Sequence, residues 1–176
     1  MKIIKTKFKD LFLYKKDTFS DNRGFFRELF LQKNIKKKFP FDVISLSNKN
    51  VIRGLHIQLK NPQGKLLTVL SGKIFDVALD CRKRSKTYGK IFTVYLSHKD
   101  NTSLYIPEGF AHGFQALEAE SELLYLHTAF YNHEAEGGIN YGDPSLNINW
   151  PLPVTDLSVR DTQYAFMKRE YQGINI

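Results

Sequence analysis

One cysteine, one tryptophan, two methionines and six prolines are all that the 176 residues hold of those types. The lone Cys81 excludes an internal disulfide and fits a reducing cytoplasm, where its ordinary place is a small buried position on a strand. No apolar run reaches the ~18 residues needed to span a bilayer, so no membrane partner is expected. No charged-then-apolar leader is read ahead of the first strand. No period of about 20–50 residues repeats, which argues against a solenoid or propeller. No low-complexity linker divides the chain, and one domain over 1–176 is expected.

Several catalytic signatures are also missing. There is no Gly-x-Ser-x-Gly elbow, Cys81 lies in an apolar run, and phosphate loops of the Walker or dinucleotide type are absent. His56 is followed by Ile57 and Gln58, without a His-x-His pair, and His98, His112, His127 and His133 show no ligand spacing. A metal site is therefore not expected. What survives is His, Tyr, Lys and Asp, the inventory of metal-free proton transfer.

Hydrophobic residues at 42% with 25% charged are ordinary globular usage, and 14 Phe with 9 Tyr lean towards sheet. A net charge of +8 suggests an acidic partner. The charges are scattered, so a diphosphate-bearing small molecule accounts for them as well as nucleic acid would. The Lys36-Lys37-Lys38 run reads as a solvated helix end, and no nucleic-acid partner is expected.

The pattern predicts an edge strand at the N-terminus and a helix over 29–39 closed by Pro40. Short strands follow at 43–46, 66–70, 74–80, 91–96, 103–106, 113–117 and 123–130, with Ser71-Gly72 as a hairpin signal. Many short strands with a single helix point to an all-β sandwich or barrel. Phe75, Val77 and Leu79 share one strand face and Asp76 and Asp80 the other; the two carboxylates could do acid-base work, though counterions to a neighbouring Arg or Lys, such as Arg53 or Arg82, are the simpler role. Tyr125, His127 and Tyr131 fall on one face by alternation, Glu136-Gly137-Gly138 reads as a turn, and Trp150 as an anchor. A mixed tail after Asp161 reads as helical.

Three stretches are chemically dense. In 51–65, Arg53, His56 and Lys65 surround bends at Gly54, Pro62 and Gly64. Arg53 and His56 are an odd number apart, so a regular strand would send them to opposite faces, but Gly54 permits a local bend. A histidine beside two cations suits a site that holds an anion and moves a proton; an unremarkable basic loop is the other reading. Arg23, Phe26 and Glu28 could offer a cation, a stacking ring and a hydroxyl acceptor to a nucleotide, or simply form a turn and half-buried strand. In Ile106 to Phe114, His112 sits among aromatics, where a satisfied core histidine is the usual reading.

Together these pieces resemble the nucleotide-sugar epimerases typified by dTDP-4-dehydrorhamnose 3,5-epimerase. The resemblance runs through Asp21-Asn22-Arg23-Gly24-Phe25-Phe26, Arg53-Gly54-Leu55-His56, Gln63-Gly64-Lys65-Leu66 and Gly72 with Asp76-Val77. It continues through Asp80-Cys81-Arg82, Leu96-Ser97 and the stretch from Ile106 to Phe114. Tyr125, Tyr131, Asp143-Pro144, Ile148-Asn149-Trp150-Pro151, Leu157-Ser158 and Asp161 complete it, so that it spans roughly 17–161 in order.

The resemblance implies a cupin-type jelly-roll barrel, assembled as a homodimer whose N-terminal strand and Arg23 region cross to the neighbour. It implies His56 as general base, Asp161 as the carboxylate that orients it, and Tyr125 as general acid. Lys65 and His112 would stand around the sugar's C4 oxygen and Arg53 at the substrate phosphates. Arg23, Phe26, Glu28 and Tyr131 would lie near nucleotide or sugar. No cofactor is implied. The implied activity is a 3,5-epimerisation of a dTDP-4-keto-6-deoxyhexose, which supplies a rhamnose-type precursor for surface polysaccharide. Alternatives are an epimerase acting at C3 or C5 alone or on a GDP- or CDP-linked ketosugar, a non-catalytic nucleotide-sugar binding barrel, and a metal-dependent cupin oxygenase. The sequence departs from the family pattern at Phe41-Asp42-Val43, Ile57, Leu126-His127 and Tyr141-Gly142, positions expected to line the pocket and bear on specificity.

Overall fold

The computed structural model describes residues 1–167 and 173–175. Its strands are β1 (Lys2–Lys5), β2 (Phe12–Lys15), β3 (Thr18–Asp21), β4 (Gly24–Arg27), β5 (Phe41–Ser47), β6 (Ile52–Gln58) and β7 (Lys65–Ser71). They continue as β8 (Lys73–Asp80), β9 (Ile91–Ser97), β10 (Thr102–Ile106), β11 (Phe110–Ala116), β12 (Ser121–His127) and β13 (Glu136–Gly138), followed by the short helix α1 (Val159–Gln163). Six strands form one sheet in the order β1-β2-β10-β7-β12-β5, and five form a second in the order β13-β6-β11-β8-β9. The pairings within both sheets are antiparallel, and β3 and β4 make a separate ribbon. This is a jelly-roll, the all-β class expected.

Period-2 alternation builds the interior between the sheets. Leu67 and Val69 of β7, Ile74 and Ala78 of β8, Phe110, Phe114 and Ala116 of β11 and Leu123 of β12 share one buried cluster with Phe8, Leu11 and Tyr125. Lys65, Asp76, His112 and His127 occupy the same alternating positions on these strands. The barrel thus has an apolar core that turns polar along its own inward faces. Outside the second sheet, the segment after β13 lays Ile139, Leu146, Ile148 and Trp150 over Leu55, Phe75, Val77 and Leu79. Trp150 is the anchor expected: it meets Phe75 edge-on and donates its indole N–H to Tyr141 O.

Four local expectations need correction. The helix over 29–39 is absent, and the segment holds only a 3₁₀ turn at Gln32–Asn34. Phe30 and Phe39 stack edge-on at 5.3 Å, whereas nine residues of α-helix would separate them by ~13.5 Å. With Ile35 they pack over Leu66 and Tyr105, so sheet coverage outweighs helical spacing. Lys37 of the lysine run pairs with Glu108 at 2.8 Å. Ser71-Gly72 joins strands of different sheets rather than a hairpin. Glu136-Gly137-Gly138 is not a turn but β13, hydrogen-bonded along β6. The helical tail reduces to α1, and the remaining part of that expectation falls partly outside the described residues.

Candidate active site

Arg53 and His56 reach one cavity because β6 is bulged. Opposite them, β11 pairs His112 with His56 but Phe114 with Arg53, so three steps on β6 match two on β11. The extra residue lies at Gly54–Leu55 and reverses the parity that alternation alone dictates. Gly54 sits at φ +126°, and a Cβ there would lie 2.5 Å from Gly113 Cα and 2.7 Å from His112 O. Glycine is required at this crossing for both reasons.

The cavity has a volume of about 230 Å³ and opens between the sheets. Arg53, His56 and Ile57 of β6 and His112 and Phe114 of β11 line one wall, and Val43, Ser45, Lys65, Tyr125 and His127 of β5, β7 and β12 line the other. Gln58, Gln63, Tyr131 and Glu136 complete the rim. A second cavity of about 410 Å³, bordered by Ser47, Asp156, Ser158, Arg160 and Asp161, shares Arg53 and His56 with it.

His56 Nε2 lies 2.7 Å from Asp161 Oδ1, across 105 residues of sequence. The other oxygen of Asp161 accepts the Gly54 N–H at 3.1 Å. Ser158 caps α1 by accepting the Asp161 N–H, which fixes the carboxylate at the head of that turn. Burial would raise the Asp161 carboxyl, but the hydrogen bonds and charge of its neighbours, His56 foremost, hold it below the usual carboxylate value. A carboxylate accepts, so the ring proton of His56 belongs on Nε2 and Nδ1 is left as a base.

A second pair was not foreseen. His112 Nε2 lies 2.7 Å from Asp76 Oδ2, with both side chains almost fully buried. Burial lowers the His112 pKa against the opposing charge and hydrogen bond of Asp76. A counterion to arginine is the simpler expectation for Asp76; its partner is instead a histidine brought alongside by β8–β11 pairing. Its companion Asp80 behaves as expected and pairs with Arg82 at 2.7 Å. Since the single proton of neutral His112 faces Asp76, donation from its Nδ1 to a substrate oxygen requires the imidazolium form.

Lys65 stands across from His127 in the β7–β12 register. Burial pulls its ammonium down to about 8, opposed by the negative charges of Asp76 and Glu136. Tyr125 is 8% exposed. Burial pushes its phenol well above the ordinary value, so it holds its proton throughout the neutral range. Arg53 extends from the pocket floor towards β5, donating to Ser47 Oγ at 2.9 Å and Leu46 O at 3.0 Å. Tyr131 reaches the rim from the loop after β12, not from the strand itself, which ends at His127. It donates to Glu136, which also pairs with Arg160.

Seven of the ten residues singled out from the sequence therefore converge: His56, Lys65, Arg53, His112, Tyr125 and Tyr131 line the cavity, and Asp161 is bonded to His56. Arg23, Phe26 and Glu28 do not. Arg23 is exposed on the β3–β4 ribbon, paired with Asp21, and Phe26 is 72% exposed. Sequence reasoning missed Glu136, Ser45 and Arg160, and it missed the histidine partner of Asp76, for which the one visible signal was the alternation that set Asp76 apart from Phe75, Val77 and Leu79. Among the departures from the family pattern, Val43, Ile57 and His127 line the cavity, but Leu126 packs on the outer face of the first sheet and Tyr141 lies by Trp150. Among the described residues no group of three or more His, Cys, Asp or Glu side chains could hold a metal ion, and no helix is long and apolar enough to cross a membrane.

A family model described as dTDP-4-dehydrorhamnose 3,5-epimerase matches residues 5–169. The dTDP-4-dehydrorhamnose 3,5-epimerase of Shigella flexneri is 45% identical over 168 residues, 92% of this chain and 93% of its own. A crystal structure of dTDP-6-deoxy-D-glucose-3,5-epimerase from Legionella pneumophila, in complex with dTDP-4-keto-L-rhamnose, superposes with a TM-score of 0.93 at 38% identity, covering 99% of this chain and 98% of that one. A 3'-monoepimerase from Streptomyces bikiniensis in complex with dTDP-quinovose reaches a TM-score of 0.85 at 27% identity, over 92% and 85% of the two chains.

Proposed function

The chain belongs to the dTDP-4-dehydrorhamnose 3,5-epimerase family, and we propose that its cavity inverts C3 and C5 of a dTDP-4-keto-6-deoxyhexose without a cofactor. The observation that carries this is the placement of a histidine–carboxylate pair and a proton-holding tyrosine on opposite walls of one pocket, with an ammonium between the sheets. Inversion needs both walls: a base takes the proton from one face of the carbon, and an acid returns one to the other.

His56 removes the proton beside the C4 ketone, and Asp161 holds its ring in the tautomer that leaves Nδ1 free. Negative charge then gathers on the C4 oxygen. Lys65 stabilises that enolate in a water-poor pocket, where loss of a comparable oxyanion donor costs ~10²–10³-fold in rate. The Asp76–His112 pair backs the same oxygen, donating once Asp76 supports a second proton on the ring. Tyr125 reprotonates from the far wall. Arg53, shared by both cavities, meets the diphosphate; Tyr131 borders the sugar. The product serves as a rhamnose-type precursor for polysaccharide, made in the cytoplasm.

The working unit is a homodimer of single-domain chains, with Arg23, Phe26 and Glu28 completing a neighbour's nucleotide site. In support, Phe19, Phe25 and Phe26 of the ribbon are 63–72% exposed, and Ile44 and Leu46 of edge strand β5 are each 58% exposed. So much apolar surface fits a covered face. A monomer mass by light scattering in solution would remove this assembly.

The test is incubation with dTDP-4-keto-6-deoxyglucose in D₂O. Deuterium enters at both C3 and C5 if the reading is right; entry at one carbon makes the protein a single-position epimerase, and entry at neither removes the activity. In the same experiment Tyr125→Phe should still exchange through His56 while inverting ~10²–10⁴-fold more slowly. Normal inversion by that variant would take Tyr125 out of the mechanism.

A further inference from the structure

Of the imidazoles that line the cavity, His56 and His112 each meet a carboxylate, whereas His127 meets no hydrogen-bonding partner among the described residues. It is nonetheless 7% exposed. Its ring stacks on Tyr125 at 5.9 Å and 21° and lies against Phe41 at 5.3 Å and 39°. Cross-strand pairing sets it opposite Lys65. A buried, unpaired polar ring held against two aromatic rings is costly to keep unless something else completes it.

The protonation state follows from the surroundings. Burial, with the charges of Lys65 and His112, pulls the His127 pKa down to about 4, so the ring is neutral and carries one proton. Nδ1 is sealed in with no partner. A buried N–H without an acceptor is the rarer and less tolerated orphan, so the proton belongs on Nε2. The ring therefore offers a donor at the edge that borders the cavity, on the same wall and next along the strand from Tyr125.

We propose that His127 determines which sugar is held: its Nε2–H donates to a hydroxyl oxygen of the hexose beside the carbon that Tyr125 reprotonates. This rests on the epimerase reading of the site and adds a residue to it. The contacts with Tyr125 and Phe41 fix the ring before the ligand arrives, so little rotamer freedom is lost on binding. A site built around such a donor discriminates sharply against ligands that leave it unpaired. His127 takes no part in the proton transfers themselves.

The experiment compares the wild-type chain with His127→Phe, which keeps the ring and removes the donor, and His127→Gln, which returns an amide donor. Substrate is dTDP-4-keto-6-deoxyglucose, and dTDP alone is the binding control. Expected is a roughly 10–100-fold loss of kcat/KM in His127→Phe, carried mainly by KM, with unchanged dTDP affinity and an unlowered Tm. His127→Gln should recover most of the loss. Wild-type kcat/KM in His127→Phe overturns the inference. So does an equal weakening of dTDP binding, or a His127→Gln variant that folds like wild type yet is as poor as His127→Phe. If His127→Phe does not fold, His127→Gln decides: kcat/KM near wild type supports the donor, and a 10-fold or larger loss with normal Tm overturns it. A wild-type chain without exchange at either carbon overturns the epimerase reading and this inference with it. Full wild-type exchange beside an undamaged His127→Phe overturns the inference alone.

Discussion

Replacing Asp161 by Asn removes one charge and leaves the shape of the side chain, yet the structure makes this a severe change. The carboxylate accepts twice, from His56 Nε2 at 2.7 Å and from the Gly54 N–H at 3.1 Å. An amide has one oxygen for these two positions. If the oxygen turns to His56, the NH₂ group faces the Gly54 N–H, and a buried donor-on-donor contact costs about 1–3 kcal/mol. The opposite orientation is therefore favoured: oxygen to Gly54, NH₂ to His56. Nε2 must then present its lone pair, and the ring proton moves to Nδ1, the nitrogen left for the substrate. The base is blocked by its own proton. We expect kcat to fall ~10²–10⁴-fold, or ~2.7–5.4 kcal/mol of barrier, with KM little changed because Asp161 borders the sugar only through His56. Steady-state kinetics with dTDP-4-keto-6-deoxyglucose, paired with deuterium wash-in, reads both. An Asp161→Asn variant within roughly fivefold of the wild-type kcat would refute the tautomer argument, since nothing else in the site repairs it.

The remaining predictions concern charge and backbone. With Lys65 held near 8 by burial, the group is an ammonium below that value and a neutral amine above it, so kcat/KM should decline as pH rises through about 8. A profile that stays flat to pH ~10 would show that the enolate does not depend on this charge. Gly54→Ala forces a Cβ to within 2.5 Å of Gly113 Cα at a positive φ, and should cost about 2–5 kcal/mol from strain and overpacking combined. Urea unfolding measures it, and a loss under ~1 kcal/mol would mean that the crossing of β6 and β11 relaxes more easily than its contacts suggest.

The parts of this molecule that follow a local rule were legible in its residues. Alternation placed Tyr125 and His127 on one face, and separated Phe75, Val77 and Leu79 from Asp76 and Asp80, because a strand's side chains obey a period of two wherever it is regular. Where β6 is irregular the same rule misplaces Arg53 against His56, and Gly54 signals a bend without giving its sense; that is set by Gly113 on a strand some 60 residues away. The helix expected over 29–39 failed because Phe30, Ile35 and Phe39 answer to Leu66 and Tyr105, far along the chain. Asp76 was hidden for a related reason. Its partner His112 arrives through antiparallel pairing across 36 residues, and nothing in the strand's own pattern distinguishes a carboxylate that meets a histidine from one that meets an arginine. Asp161 was reachable only through the family pattern, not through its spacing from His56.

The two histidine–carboxylate pairs have the same 2.7 Å separation, so distance does not decide which is the base. Surroundings do. The His112 side chain is 4% exposed, and burial together with the Lys65 charge lowers its pKa against the opposing pull of Asp76. The His56 side chain is 25% exposed and stands where the two cavities meet. A base must give up what it takes before the next turnover, and that requires access. His56 has it; His112 does not. In the proposed mechanism the buried pair therefore serves the oxygen that Lys65 faces, where an imidazolium held by Asp76 is worth most in a dry site, and the open pair serves the carbon. On that proposal, one local motif repeated on two neighbouring strands of the same sheet is divided into two roles by how deeply each copy is buried.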